Sequence, residues 1–464
     1  MLRYPDILDT LPPTWPVALR TENKVNFQAS QRSLIVLDDD PTGTQTVHGV
    51  PVLCRWDADR IAAELNSETP IFFILTNSRS LTANDAGSVA LEVGQNIRTA
   101  EKLSQRRTLV LSRSDSTLRG HYPYEVHALG AGLAMKQPVH VIVPAFFEGG
   151  RFTLDDIHYV LENGKLQPAG QTVFARDASF GYSSSNLREW IAEKTGGRKA
   201  VSEVASISLS DLRIEGPQKV CRLLTSLAPG QVCIVNAMEP EDLDVFSSGF
   251  LRAHMCHDHI LIRGAASIIP ALVGMEPRPI LGREYLYCGG RPGLIAVGSY
   301  VPKTTAQLEF LQCKTGLQGI ELSVPALLRE DCYEQEINRV AGLIDHHLGS
   351  GKTALIYTSR HTHTGMDAGS SLAIVNRVSG GMTEVIGRMK AQPSFIIAKG
   401  GITSSDIATK ALGLKKAMVA GQALAGVPVW QLVESERFSG MKYLPFPGNV
   451  GDDEALYEAY LKFN

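Results

Sequence analysis

The sequence predicts an α/β protein of two domains, each a mostly parallel sheet flanked by helices. Three observations carry that expectation. Short, β-rich apolar runs recur along the chain, with helix-like stretches between several of them. The runs read as buried strands, as in parallel sheets covered on both faces. The pattern breaks once, near residues 272 to 292, in a stretch rich in Pro, Gly and Arg, and then resumes.

Taken in order, residues 1–30 form an irregular, Pro-containing lead-in. The strands SLIVL (33–37), IFFIL (71–75), TLVLS (108–112), HVIVPA (140–145), QVCIVN (231–236) and HILIRG (259–264) come next. ADRIAAELN (58–66) and NDAGSVALEVGQNIRTAEKL (84–103) read as helices between them, the second capped by Asn84 or Asp85. After the break come the strand GLIAVGS (293–299), a helix from about Lys303 and the strand TALIYTS (353–359). A helix around 370–390, the strand SFIIAKGG (394–401), a helix from about Ser405 and a terminal helix, DDEALYEAYLKF, complete the series. The expected division is a lead-in (1–30), a first domain (31–275), a linker (276–292) and a second domain (293–464).

The 464 residues are 44% hydrophobic and 20% charged, enough for two domains with full cores. Net charge is -3 with Lys and Arg dispersed, so nothing points to nucleic acid. The seven cysteines never form CxxC, which fits a reducing compartment without a disulfide framework or zinc knuckle. The first residues carry acids and prolines where a signal peptide needs an apolar core, and no apolar run nears the roughly 20 residues of a membrane span. The expectation is a cytoplasmic protein that binds neither nucleic acid nor membrane.

SLIVL ends in three carboxylates, Asp38, Asp39 and Asp40, and Pro41, Thr42 and Gly43 then turn the chain. Ligands of open α/β sheets bind at the carboxyl ends of the strands. Acids placed there, with arginines in neighbouring loops, point to chemistry. Two reactions compete. A phosphatase of the haloacid-dehalogenase type carries DxDxT after a strand, and Asp38, Asp40 and Thr42 match it. Thr76 would supply its second motif, and Asp452 with Asp453 its magnesium acids, although that pair lies at the far end of the chain. A kinase instead uses an Asp to orient or deprotonate a substrate hydroxyl.

TNSRS places Asn77, Ser78 and Arg79 just past the next strand, with a surface ion pair as the plainer reading of Arg79. SRSDSTLRG (112–120) offers Arg113, Asp115, Ser116, Thr117, Arg119 and Gly120 within nine residues. Hydroxyls and an acid suit sugar hydroxyls, and a guanidinium grips a carboxylate with two hydrogen bonds; a capped helix start is the plainer reading. PAFFEGGR ends at Arg151 in a glycine-hinged loop that either closes over a substrate or merely connects a strand to the next element. GSGKT (349–353) is not a P-loop: His346 stands where a glycine is required, and helix-like sequence precedes it with a strand after. HTH (361–363) reads as a polar loop without a third metal ligand in view. In the second domain three glycine loops enter helices: Gly298–Ser299, Gly400–Gly401–Ile402–Thr403–Ser404, and Gly448–Asn449 with Gly451. Small residues and free N–H groups at helix starts bind phosphates, so the three together read as a nucleotide cradle.

DDDPTG, TNSRS, SDSTLRG, VPAFFEGGR, VGSYVPKTTAQ, YTSR and GGITSSD, in that order over roughly residues 33–451, resemble the four-carbon acid sugar kinases. The resemblance implies an N-terminal acid-sugar domain and a C-terminal nucleotide domain with the active site in the cleft between them. It implies phosphorylation of the terminal hydroxyl of a C4 acid such as threonate, erythronate or a 3-oxotetronate, with ATP and Mg2+, and a homodimer fits the same analogy. Asp39, Asp40, Arg79 and the Asp115–Gly120 loop would face the acid sugar. Ser299, Thr358, the Gly400–Ser404 loop and Gly448 would contact ATP. Pro41 and Thr44 depart from the family's usual DDLTGA. Pro445, Phe446 and Pro447 stand where Lys-Ser often precedes the last glycine loop, leaving Lys303 or Lys399 to meet the phosphates. On this reading Arg119, with Arg79, holds the substrate carboxylate, and Asp115, Ser116 and Asn77 bond its hydroxyls. Asp40 or Asp39 meets the terminal hydroxyl, and Asp38 is structural. The phosphatase, and a sugar-acid sensor without turnover, remain the alternatives.

Overall fold

The computed structural model describes residues 2–256, 259–360 and 368–464; the HTH triplet lies outside them. The chain forms two units, Met1–Asp39 with Arg55–Pro277, and Asp40–Cys54 with Arg278–Asn464. The crossing falls inside the acidic triplet, so Asp39 closes one segment of the first unit and Asp40 opens the second unit.

The first unit holds a seven-stranded, all-parallel sheet in the order Ala205–Ile207, Val232–Val235, Val139–Val143, Ile260–Gly264, Arg107–Arg113, Arg32–Asp38, Ile71–Leu75. IFFIL is buried along its whole length, as an uninterrupted apolar run must be in a sheet covered on both faces. The helix Ala83–Ser104 buries Ala86, Ala90, Val93, Ile97 and Ala100, a helical stripe of small and branched residues. Thr82, rather than Asn84 or Asp85, caps it, accepting from the Asp85 N–H. It packs closely on the helix Tyr124–Gly132: a Cβ added at Gly94 would stand 2.9 Å from the Gly132 backbone. A second, antiparallel sheet joins Leu2–Arg3, Lys165–Pro168, Ile157–Glu162 and Arg151–Leu154. The loop reading of PAFFEGGR therefore ends at Arg151, which begins a strand.

The lead-in is more ordered than its prolines imply. Arg20–Ala29 is a helix whose Phe27 is buried and whose Asn23 donates to the carbonyls of Asp244 and Ala271. Arg20 pairs with Asp244 at 2.7 Å, so this segment is part of the first unit's core.

In the second unit five parallel strands run Lys442–Phe446, Phe395–Lys399, Leu294–Val297, Ala354–Thr358, Gly319–Leu322. Three further strands extend the sheet in antiparallel fashion beyond Lys442–Phe446: Val427–Ser435, Leu414–Leu424 and Val50–Leu53. The sequence reading assigns nothing to 414–444. There Ala425 and Gly426, the latter at φ +74°, make the two-residue turn of a hairpin whose first strand buries roughly every second residue. The excursion 40–54 is fastened by Trp430 Nε1 donating to Thr44 Oγ1 at 2.9 Å and by Gln45 donating to the Gly426 carbonyl at 2.9 Å. The terminal helix Ala455–Phe463 closes the core, with the Phe463 and Phe395 rings 4.8 Å apart. Residues 349–353 lie in the turn from the helix Glu330–Gly349 to the strand Ala354–Thr358, the reverse of a P-loop. Among the described residues no helix is long and apolar enough to cross a membrane.

Candidate active site

In the first unit the strands Arg32–Asp38, Ile71–Leu75 and Arg107–Arg113 lie side by side, so their carboxyl-end loops meet. Arg113 Nη1 lies 3.0 Å from Asp38 Oδ1 and 3.2 Å from Asp39 Oδ1. Arg79 takes Asp39 through both forks, Nη2 to Oδ1 at 2.6 Å and Nε to Oδ2 at 3.2 Å. It also reaches Asp115 Oδ1 at 3.7 Å. Arg119 Nε donates to Asp115 Oδ2 at 2.8 Å, and its Nη1 lies 3.3 Å from Asp177. Thr117 Oγ1 donates to Asp115 as well. Burial opposes ionisation of Asp115, but Arg119 and Arg79 beside it and the hydrogen bonds from Arg119 and Thr117 overcome that and hold its carboxyl well below the usual range. Gly120 stands against Asp39 and Arg263, and Leu118 adopts φ +68° to turn the loop.

The structure thus brings Asp39, Arg79, Asp115, Thr117, Arg119 and Gly120 into one buried polar network. It uses the neighbours differently. Asn77, at φ +52°, donates from Nδ2 to Ser80 Oγ within its own turn. Ser116 offers its carbonyl to His158 Nε2 at 2.7 Å, which anchors the loop to the antiparallel sheet. Arg151 is buried beside the Phe174 ring, which it shares with Arg119.

Ser78 Oγ donates to Glu125 Oε1 at 2.5 Å. Glu125 carries no motif and is not singled out by the sequence. Burial first, then the Asp39 charge, push its carboxyl up to about 7 against the Ser78 hydrogen bond. The folded state therefore binds a proton that the unfolded chain has lost. Stability is expected to fall as pH rises from 4.5, the ordinary glutamate value, to about 7, by about 3 kcal/mol. Urea unfolding of Glu125→Gln across that window is expected to show this part of the slope removed.

In the second unit the three glycine loops converge at the ends of Leu294–Val297, Phe395–Lys399 and Lys442–Phe446. The Gly298 and Ser299 N–H groups donate to the Lys399 carbonyl, and the Gly400 N–H to that of Phe446. Thr304 Oγ1 donates to the Gly448 carbonyl at 2.9 Å and lies 3.2 Å from Ser299 Oγ. Gly298 lies so close to Thr403 that a Cβ there would overlap it, and Gly400 adopts φ +119°. The helix begins at Gly401, four residues before the expected Ser405, and the Ser404 N–H and Oγ both donate back to the Gly400 carbonyl, at 2.9 and 2.6 Å. Thr358 Oγ1 donates to the Gly298 carbonyl at 3.3 Å, while Ile402 and Asn449 are half-buried. Gly451 receives Lys303 Nζ on its carbonyl at 3.1 Å. Lys399 is fully buried, and its Nζ donates to the Pro447 carbonyl at 2.5 Å beneath the loop. Burial, then the Lys303 charge, keep its pKa well below the ordinary lysine value. Of the two lysines, exposed Lys303 is the one at the loop surface.

Asp40 belongs to this cradle. Its Oδ1 accepts from Thr42 N at 2.8 Å and Thr42 Oγ1 at 2.5 Å, capping the turn Pro41–Thr44. Its Oδ2 lies against Gly401, where a Cβ would overlap it. Asp40 and the GGITSS turn, remote in sequence, meet within one folded unit.

Sequence reasoning also passes over Arg263 and Asp177. Arg263 ends HILIRG at the same kind of strand terminus as the other loops; Asp177 carries no motif. Among the described residues, no group of three or more His, Cys, Asp or Glu is arranged to hold a metal.

Residues 34–272 match the family described as the sugar-binding N-terminal domain, and residues 294–456 the nucleotide-binding C-terminal domain. The chain is 23% identical over 375 residues to a D-erythronate kinase of Heliobacterium modesticaldum, covering 77% of this chain and 80% of that one. Among solved structures it resembles one from Salmonella typhimurium LT2 described as a putative tRNA synthase. The TM-score is 0.65 at 15% identity, over 93% of this chain and all of that one. A Haemophilus influenzae protein of the DUF1537 family gives 0.56 at 18% identity, with coverage of 93% and 100%. These two likenesses show the fold.

Proposed function

Because the chain belongs to the four-carbon acid sugar kinase family, we propose that it transfers the γ-phosphoryl group of ATP to the terminal hydroxyl of a four-carbon acid sugar such as threonate, erythronate or a 3-oxotetronate. The observation that carries the reading is the contact of Asp40 with Gly401. An acceptor-orienting carboxylate has to lie where the phosphates arrive, and glycine loops are where they arrive.

In the proposed reaction Thr42 fixes Asp40 through Oδ1, and Oδ2 orients the terminal hydroxyl and takes its proton late in transfer. Asp39, held by two guanidiniums, positions rather than deprotonates. The amides of Gly401, Ile402 and Thr403, at the start of their helix, would carry the phosphate charge, with Lys303 at the rim of the loops. Mg2+ would arrive on the ATP phosphates, which with water would supply most of its ligands, and the ion would supply charge neutralisation. Lys303→Ala is expected to raise the KM for ATP about tenfold with little change in the KM for the acid, measured by steady-state kinetics.

The phosphatase reading would need the Asp38 carboxylate as nucleophile. Asp38 is 1% exposed and ion-paired to Arg113, so no specific observation favours it. The test is ADP release with and without a panel of C4 acids. Release that depends on an acid supports the kinase; equal release with every acid and with none overturns it.

A further inference from the structure

Four arginines of the described residues are nine-tenths or more buried: Arg113, Arg151, Arg213 and Arg263. A buried cation costs several kcal/mol unless something compensates it. Arg113 has Asp38 and Asp39; Arg213 has Asp242 and Glu239. Arg263 lies over the Tyr122 and Trp190 rings and donates to the Arg119 carbonyl at 3.2 Å. The Arg151 side chain makes no hydrogen bond or ion pair with any described residue, and its Nε is shielded and unpartnered. What it touches is the Phe174 ring, 5.6 Å from its guanidinium carbon, with Arg119 5.2 Å from the same ring.

The two arginines expected to hold the substrate carboxylate are already neutralised: Arg79 by Asp39, Arg119 by Asp115 and Asp177. Arg151 has no such ion pair among the described residues, which leaves its two Nη groups for something else. Its charged neighbours are Asp115, Arg119 and Glu162, whereas the strongest for Arg263 is Asp39. A compact dianion such as phosphate would be repelled by Asp115. A monoanion that also carries hydroxyls would be welcomed, the carboxylate on Arg151 and the hydroxyls on Asp115 and Thr117.

We propose that Arg151, beside Phe174, is the residue that grips the substrate's carboxylate and so selects acids over polyols, an assignment that rests on reading the first unit as the acid-sugar site. Phe174 supplies the flat wall that fixes the guanidinium, and His158, bound to Ser116, ties the strand next to Arg151 to the Asp115–Gly120 loop.

The test is calorimetric binding to the full chain of sodium erythronate and threonate against erythritol and threitol, which lack the carboxylate, for wild type, Arg151→Lys and Arg151→Met. Wild type is expected to prefer the acids by about 100-fold or more. Arg151→Met should lose about that factor for the acids and stay within about threefold for the polyols, with Arg151→Lys between. Without ligand, Arg151→Met should unfold at the same or a higher temperature than wild type, since an uncompensated buried charge has gone; a structural arginine would give a lower one. A methionine variant that keeps the preference, loses acids and polyols equally, or melts lower without ligand overturns the assignment. The kinase reading fails separately, if wild type binds the acids but transfers nothing from ATP to them; binding still decides Arg151. Wild type that shows no preference for acids overturns the assignment directly.

Discussion

Asp40→Asn is expected to bind ATP as the unaltered enzyme does and to turn over about 100-fold or more slowly. The substitution keeps the shape, and an amide oxygen can still accept from Thr42 N and cap the turn. What it removes is the negative charge beside Gly401. Phosphoryl transfer depends mainly on positioning and charge, so the loss should appear in kcat while the KM for ATP changes little. Single-turnover kinetics with labelled ATP, set beside nucleotide binding measured directly, separates the two. Turnover near normal would remove Asp40 from the chemistry.

The largest effect on stability is expected at Arg113. Asp38 and Asp39 are 1% and 2% exposed, and Arg113 bridges them. Arg113→Met leaves two buried carboxylates with part of their compensation gone, and about 3–5 kcal/mol should be lost in urea unfolding at neutral pH. Adding Asp38→Asn should restore part of the loss, because the stranded charge goes with it. A loss below about 1 kcal/mol would contradict that role for Arg113.

Much of the fold was legible because parallel strands covered on both faces are written as plain apolar runs. IFFIL and SFIIAKGG could hardly be anything else, and their carboxyl ends located the loops. The hairpin 414–435 escaped because Lys415, Lys416 and Gln422 interrupt it, so its alternation is weaker than an apolar block, and its Ala-Gly turn is a quiet signal. The helix Arg20–Ala29 escaped because the prolines before it dominate the composition. The acidic triplet was legible as a site, but its division between two folded units was not: strand partners such as Val50–Leu53 with Leu414–Leu424 are set by tertiary pairing. Which arginines are neutralised and which is left over was equally invisible, since Arg79, Arg119 and Arg151 look alike in sequence and differ only in the carboxylates that packing brings to them.

Phosphorus NMR of the purified protein with ATP, Mg2+ and a panel of C4 acids is the most direct measurement. The expected result is a new phosphomonoester signal, coupled to the protons of the terminal carbon, growing only when an acid is present and in step with ADP. Inorganic phosphate as the sole product, or loss of phosphate from an added phospho-acid without nucleotide, would contradict it.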